Sequence, residues 1–127
     1  MGLAMTSSDP GAGEPPLPRD AAERLADTMF ALAAPSRLQI LAALRDGPRT
    51  VSEIIAVVGM EQSAVSHQLR VLRDNAVVSV ERRGRERLYG LRDPHIAALL
   101  DDARRHVLEL ESGRAGAAKR TRLPRTG

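Results

Sequence analysis

The sequence predicts a mainly α-helical domain that carries one small β-hairpin. Over most of residues 19–112, apolar residues recur every three or four positions, which is the period of an amphipathic helix. Between residues 78 and 91 they recur at every second position, which is the period of a strand. With 127 residues and 43% hydrophobic content, the chain suits a single domain with a modest core. Four helices are expected before the hairpin and one after it.

Composition excludes several classes of protein. The chain contains no cysteine, so disulfides and thiolate metal sites are excluded, and a bound metal would need His, Asp or Glu ligands. No apolar run reaches the roughly 20 residues that span a bilayer, and the N-terminus lacks the layout of a signal peptide. We therefore expect a cytoplasmic protein with no membrane partner. An enzyme with a small-molecule substrate is disfavoured, because there is no glycine-rich phosphate loop and no cysteine nucleophile.

The basic charge is unevenly distributed along the chain. Five of the 19 basic residues lie in residues 113–127, which leaves 14 basic against 16 acidic residues in the rest. This tail and the Gly- and Pro-rich residues 1–18 have little apolar content to bury, so both are predicted to be disordered. The folded domain is placed at residues 19–112. Within it, residues 62–92 hold seven arginines against three acids, which is typical of a phosphate-binding surface.

The first two helices are predicted from their caps and their apolar stripes. Asp20 is expected to cap the first helix by accepting hydrogen bonds from backbone amides. Pro35 suits the first turn of the second helix because it lacks an N–H, and Asp46-Gly47-Pro48 is expected to end that helix after Arg45. The stripe of the first helix comprises Leu25, Met29 and Leu32 or Ala33, and that of the second comprises Leu38, Leu41 and Leu44.

The next two helices form a helix-turn-helix pattern. Thr50 and Glu53 can form a capping box at the start of residues 50–58, and Gly59 suits the left-handed turn that ends this helix. The following segment, residues 61–73, has an apolar stripe of Val65, Leu69 and Leu72. We predict that its outward side reads DNA through Gln62, Ser63, Ser66, His67 and Arg70. The alternative is an ordinary helical hairpin with a solvated polar face.

A β-hairpin with a basic tip is predicted next. Val78 and Val80 alternate with polar residues, residues 82–85 turn the chain, and Leu88, Tyr89 and Leu91 form the return strand. Its four arginines are Arg82, Arg83, Arg85 and Arg87. Such a tip is often only a solvated turn, but beside a helix-turn-helix it indicates a wing that lies along the DNA backbone or in the minor groove.

The last predicted helix begins at Pro94 behind the N-cap residue Asp93 and ends at Ser112-Gly113. Its apolar stripe runs over about four turns and comprises Ile96, Leu99, Leu100, Ala103, Val107 and Leu110. Such a stripe is longer than the last helix would need only to pack against so small a core. The stripe therefore suggests pairing with a second copy of the chain in a two-fold homodimer.

Two of the three histidines, His95 and His106, lie on this last helix. Because the two histidines are eleven residues apart, they lie within about 20° of the same azimuth but about 16 Å apart along the helix axis. If two copies of the helix run antiparallel, Asp93 and His95 of one copy can meet His106 and Glu109 of the other. Two nitrogens and two oxygens suit tetrahedral zinc, and suit nickel or cobalt if waters or further groups complete six-coordination. The alternatives are solvated or capping histidines and a salt-bridged seam that uses Asp101, Asp102, Arg104 and Arg105.

Over about residues 20–111, the sequence resembles the ArsR/SmtB family of winged-helix metal-sensing repressors. The similar motifs are APSRLQIL in the second helix, SAVSHQLRVLR in the recognition helix, RRGRERLYGL in the wing, and Asp-x-His followed after ten residues by His-x-x-Glu. The last motif resembles the family's terminal-helix site in its zinc-sensor form, which implies Asp93, His95, His106 and Glu109 as ligands. The recognition helix is most similar to the nickel and cobalt sensors, which recruit further ligands from an N-terminal arm or a histidine-rich tail. Here only the α-amino group or acids such as Asp9 and Glu14 could serve.

The resemblance implies a dimer that binds a palindromic double-stranded operator without metal and releases it with metal. It also implies base contacts by Gln62, Ser63, Ser66 and His67, and coupling from His106 to the loop around Asn75 and Ala76. The sequence thus predicts a transcriptional regulator, acting as a repressor, whose operator affinity is changed by Ni(II) or Zn(II), with Co(II) as a further candidate. The competing hypotheses are a metal-independent winged-helix regulator whose last helix only dimerises, and a metal carrier without DNA function.

Overall fold

The computed structural model describes residue 13 and residues 15–116. In this part of the chain there are five helices and one two-stranded hairpin, in the predicted order. The elements are α1 (Arg19–Leu32), α2 (Pro35–Ala43), α3 (Val51–Val58), α4 (Gln62–Asp74), β1 (Val78–Arg83), β2 (Glu86–Leu91) and α5 (Pro94–Gly116). Most of the two segments predicted to be disordered, 1–18 and 113–127, lies outside the described residues. The mainly helical fold class is confirmed.

Local signals in the sequence account for several helix ends. The Thr50 hydroxyl accepts a hydrogen bond from the Glu53 amide at 3.2 Å, and the Glu53 carboxylate accepts one from the Thr50 amide at 2.9 Å. The predicted capping box at α3 is therefore confirmed. Gly59 ends α3 with φ +74°, a left-handed conformation that suits glycine because it has no Cβ. Pro35 occupies the first turn of α2, as predicted.

Three other predicted boundaries were wrong. Asp20 does not cap α1, because the Pro18 carbonyl already accepts the Ala22 amide at 2.9 Å, which places Asp20 inside the first turn. The second helix ends at Ala43 rather than Arg45, since residues 44–46 form a tight turn. The last helix continues through Gly113 to Gly116. A single exposed glycine lowers helix stability by only about 1 kcal/mol, so it does not by itself end a helix.

The hairpin has the predicted strands but a shorter turn. Arg83 pairs with Glu86, so only Gly84 and Arg85 form the loop, and Arg82 and Arg83 belong to β1 rather than to the turn. Gly84 has φ +62°, the left-handed conformation that two-residue hairpin loops require. The arginines therefore occupy fixed positions on two strands, which determines the face on which each one lies.

One apolar core joins α2, α3, α4 and the hairpin. Val65, Leu69 and Leu72 of α4 are at most 1% exposed, so the predicted stripe of this helix is buried completely. Burial of each such side chain contributes about 1.5–3 kcal/mol. The other fully buried residues are Ile40, Leu41, Leu44, Ile54, Val77 and Val78. The core therefore holds α4 by one face and leaves the opposite face open.

The outer helices α1 and α5 are buried much less. In α1, Leu32 is buried, whereas Leu25 and Met29 are exposed, so this chain covers only the end of the predicted stripe. In α5, Ile96 and Leu100 pack against the core, but Leu99, Val107 and Leu110 remain exposed. None of the helices in the described part of the chain is long and apolar enough to cross a membrane.

Candidate nucleic-acid interface and candidate metal ligands

The outward face of α4 is a continuous polar surface. The five predicted reading residues, Gln62, Ser63, Ser66, His67 and Arg70, are all exposed. Helical spacing places four of them away from the fully buried stripe, whereas Gln62 lies in the first turn beside the margin of that stripe. Hydroxyl, amide, imidazole and guanidinium groups can donate to or accept from base edges and phosphates. The structure confirms the helix and the exposure of these residues, and their contact with DNA stays a prediction.

The end of α4 is joined to the wing by a tight turn that the sequence analysis missed. The Val77 amide donates to the Leu72 carbonyl at 2.9 Å, and the Ala76 amide donates to the Arg73 carbonyl at 3.0 Å. This pattern is a Schellman motif, which normally has glycine in its left-handed position. Here that position is Ala76, with φ +59°. The turn connects the reading helix to β1 with no intervening flexible loop.

The base of the wing is fixed to the loop before α3. The Arg49 amide donates to the Tyr89 carbonyl at 2.9 Å, and the Tyr89 amide donates to the Arg49 carbonyl at 2.8 Å. The Arg49 side chain also donates to the Ala43 carbonyl at 2.6 Å. No local sequence signal indicates this bridge, because its two residues come from separate parts of the chain. It holds the hairpin at a defined position beside the helix-turn-helix.

The hairpin register divides the four wing arginines between different positions. Arg82 lies directly opposite Arg87, and Arg83 lies opposite Glu86. Because side chains alternate between faces, Arg82 and Arg87 share the face of Val80, whereas Arg83 shares its face with two acids. Arg85 lies in the loop. All four arginines are exposed, and none of the ion pairs in the described part of the chain involves them. Their guanidinium groups can therefore meet phosphates.

Two of the four predicted metal ligands lie together at the start of α5. Asp93 caps the helix as predicted, since its Oδ1 accepts the His95 amide at 2.9 Å. The same Oδ1 lies 3.4 Å from His95 Nδ1. His106 and Glu109 are exposed further along α5, where they share one face at a spacing of three residues. The structure of one chain therefore brings Asp93 and His95 together but does not bring His106 and Glu109 to them.

No cluster among the described residues of one chain holds enough ligands for a closed metal site. In the described residues there is no group of three or more His, Asp or Glu side chains that could hold a metal ion. A four-ligand site from the predicted residues would therefore need a second copy of the chain. This requirement agrees with the predicted antiparallel arrangement, and the ligand set stays a prediction.

The charged residues in the middle of α5 are engaged within the chain. Arg45 at the end of α2 donates to both carboxylate oxygens of Asp101, at 2.8 and 2.6 Å. These hydrogen bonds, with the charge of Arg45, hold the pKa of the Asp101 carboxyl below its ordinary value. Asp102 accepts a hydrogen bond from Arg105 of the same helix at 3.1 Å. Of the residues proposed for a salt-bridged dimer seam, three thus already have partners in the same chain.

Comparison with known proteins agrees with this architecture. A family profile described as bacterial regulatory protein, arsR family, matches residues 34–80. The HTH-type transcriptional regulator NmtR of Mycobacterium tuberculosis is 52% identical over 98 residues, which cover 77% of this chain and 82% of NmtR. The chain belongs to the arsR family of bacterial regulatory proteins. This ArsR-family chain is accordingly a transcriptional regulator and not an enzyme.

Several solved structures of transcriptional regulators share this fold. The solution structure of apo-NmtR is 44% identical, covers 94% of this chain and 96% of its own, and has a TM-score of 0.68. The AntR antimony-specific transcriptional repressor has a TM-score of 0.69 at 29% identity, with 80% of this chain and 93% of AntR covered. The homodimeric winged helix-turn-helix domain of Mb0332 from Mycobacterium bovis has a TM-score of 0.60 at 26% identity, with 88% and 99% covered. The predicted winged helix-turn-helix is therefore confirmed.

Proposed function

We propose that this ArsR-family regulator is a homodimeric, metal-responsive repressor that works in the cytoplasm and binds double-stranded operator DNA. The observation that carries the proposal is the arrangement of α5. Asp93 and His95 lie at its start, His106 and Glu109 lie further along it, and several apolar residues of the same helix remain exposed.

Operator binding is assigned to α4 and the wing. The reading residues Gln62, Ser63, Ser66, His67 and Arg70 are exposed on one helix, and Arg82, Arg83, Arg85 and Arg87 are exposed on the hairpin beside it. A helix of this kind fits the major groove, where base edges carry a distinct pattern of donors and acceptors. Arginines of the wing supply phosphate contacts, which position the protein without reading sequence.

Dimerisation is assigned to the exposed apolar residues of the outer helices. On α5, Leu99, Val107 and Leu110 are 38%, 49% and 47% exposed. On α1, Leu25 and Met29 are 46% and 44% exposed. Contact with a second copy would remove this apolar surface from water, which favours association. The homodimeric state of the Mb0332 domain supports the same assembly for this chain.

The geometry at the start of α5 fits a metal ion. Two ligand atoms about 2.0–2.1 Å from a tetrahedral ion lie about 3.3–3.4 Å from each other. Asp93 Oδ1 and His95 Nδ1 are 3.4 Å apart, so they need no large rearrangement to bind one ion. His106 and Glu109 of a second copy would complete a set of two nitrogens and two oxygens. This set suits Zn(II), and it suits Ni(II) or Co(II) when waters or groups of the N-terminal arm fill further positions.

Metal and DNA are expected to affect each other through the dimer. An ion shared between two α5 helices ties the two chains together and so restricts the spacing of the two reading helices. Any difference in metal affinity between the DNA-binding and DNA-releasing shapes must appear reciprocally as a difference in DNA affinity. The similarity to AntR, an antimony-specific transcriptional repressor, supports repression as the role of DNA binding, and release of the operator on metal binding is the proposed direction of the response.

The test is operator binding by the metal-free protein, repeated with stoichiometric Zn(II), Ni(II) or Co(II) at fixed salt. The DNA probe is the 30-base-pair duplex that the wild type selects from a random pool. We expect one of the metals to weaken binding of the wild type by about fivefold or more. His106→Ala and Asp93→Asn should bind the same duplex equally well without metal and lose the response. Asp93→Asn is preferred to alanine because asparagine retains the helix-capping oxygen.

Asp102→Asn serves as the matched control, because it removes a carboxylate from the same helix outside the ligand set. It should retain the metal response. A wild-type response in both ligand variants would overturn the metal site. Operator binding that no metal changes would instead favour the metal-independent regulator whose last helix only dimerises.

A further inference from the structure

Arg37 connects three helices, one of which is the reading helix. It lies in α2, within the APSRLQIL motif, and its side chain is half-buried. Its Nε donates to Gln68 Oε1 of α4 at 2.9 Å. Its Nη1 donates to the carbonyl oxygens of Ala31 at 3.0 Å and Phe30 at 3.3 Å, in the last turn of α1. The planar guanidinium makes these contacts in fixed directions at the same time.

The contact with Gln68 is distinctive among the contacts of α4. It is the one side-chain hydrogen bond between α4 and another helix in the described part of the chain. Gln68 is half-buried and lies between His67, which is exposed, and Leu69, which is buried. It therefore marks the boundary between the DNA-reading face and the core-facing stripe.

Apolar packing alone does not determine the rotation of α4 about its axis. Hydrophobic burial is non-directional, so it holds the helix against the core more strongly than it fixes its azimuth. With a side-chain radius of about 6 Å, a rotation of about 20° displaces the reading groups by about 2 Å. Such a shift exceeds the range of a good hydrogen bond to a base edge. A directional contact at the helix boundary is therefore suited to setting the azimuth.

We infer that Arg37 is a positioning residue that holds the recognition helix α4 at the azimuth needed for sequence-specific DNA binding, with Gln68 as its partner. The contact to the α1 carbonyls anchors the guanidinium, because cationic groups are stabilised at a helix C-terminus. Arg37 acts through Gln68 and need not contact DNA. The inference rests on the DNA-binding part of the proposed function.

The test measures the specificity ratio, defined as the affinity for the selected 30-base-pair duplex divided by the affinity for a shuffled duplex at the same salt. Arg37→Ala and Gln68→Met should each lower this ratio about tenfold or more, because each removes a hydrogen bond to a charged group. Affinity for the shuffled duplex should change no more than in Arg19→Ala, a control that removes one exposed positive charge from α1. The double variant should lose no more than either single one, since both changes break the same contact.

Gln68→Glu provides the rescue. Glutamate retains an acceptor for Arg37, so the specificity ratio should stay near that of the wild type, although the added negative charge lowers both affinities. Equal losses on both duplexes in Arg37→Ala would overturn the inference and indicate a phosphate contact. Losses that multiply in the double variant would also overturn it. If Arg37→Ala does not fold, the two Gln68 variants still decide the question, and a wild type that selects no sequence would reject the proposed function itself.

Discussion

The helices α4 and α5 are both amphipathic by sequence, yet only α4 has its apolar face covered within one chain. Val65, Leu69 and Leu72 of α4 are at most 1% exposed, whereas Leu99, Val107 and Leu110 of α5 are between 38% and 49% exposed. The core thus covers the apolar face of α4 along its length, whereas it holds α5 only at its first turns, through Ile96 and Leu100. The apolar face of α4 is thus used within one chain, whereas the exposed face of α5 is the basis of the proposal that this helix pairs with a second copy.

The largest expected effect is on the free energy of unfolding, which should respond differently to changes in the apolar stripes of α4 and α5. Leu69→Ala should lower the free energy of unfolding by about 2–5 kcal/mol, because it leaves a cavity in the core. Leu110→Ala should change the stability of the dissociated chain by no more than about 0.5 kcal/mol, but raise the dimer dissociation constant about tenfold. Denaturant unfolding in dilute solution and sedimentation equilibrium measure the two quantities. Equal destabilisation of the dissociated chain by both changes would contradict the comparison.

A smaller effect is expected where α4 ends. Ala76 has φ +59°, and a left-handed conformation costs a residue with a Cβ about 1 kcal/mol. Ala76→Gly should therefore raise the free energy of unfolding by up to about 1 kcal/mol, less the entropy that glycine gains in the unfolded chain. Thermal and denaturant unfolding measure the change. Ala64→Gly, in the first turn of α4, is the matched control and should instead lower stability, by up to about 1 kcal/mol.

The smallest effect concerns the ion pair that joins α2 to α5. Because the pKa of Asp101 is lowered in the folded chain, its contribution is fully present above the ordinary carboxyl pKa of about 3.9 and is lost as pH falls through the lower folded value. The difference in stability between the wild type and Asp101→Asn should therefore shrink below about pH 4. Unfolding measured from pH 7 to pH 3 tests this. A difference that stays constant over that range would contradict the role given to the pair.

The features predicted correctly from sequence are those that depend on neighbours in the chain. The capping box of Thr50 and Glu53 spans three residues, and the left-handed turn at Gly59 needs only a residue without a Cβ. The stripe of α4 follows from its period, and the strands follow from alternation. Spacing along the chain also named the candidate DNA-reading residues and the candidate metal ligands, whose contacts with DNA and metal stay predictions.

The features that sequence reasoning missed depend on residues distant in the chain. Arg37 and Gln68 are 31 positions apart, and Arg45 and Asp101 are 56 apart, so neither pair has a local signature. The hairpin register was missed as well, because the pairing of Arg83 with Glu86 depends on turn geometry that composition does not specify.

The sequence by itself determined the order of the elements, the outward face of α4, and the residue types available for a metal site. Those properties follow from helical and strand periods and from the chemistry of each side chain. Only the tertiary structure decided that the stripe of α4 is buried within one chain while Leu99, Val107 and Leu110 of α5 stay exposed. The physical reason is that the helical period gives each helix an apolar face, but how far that face is covered depends on the packing of elements that are distant in the chain.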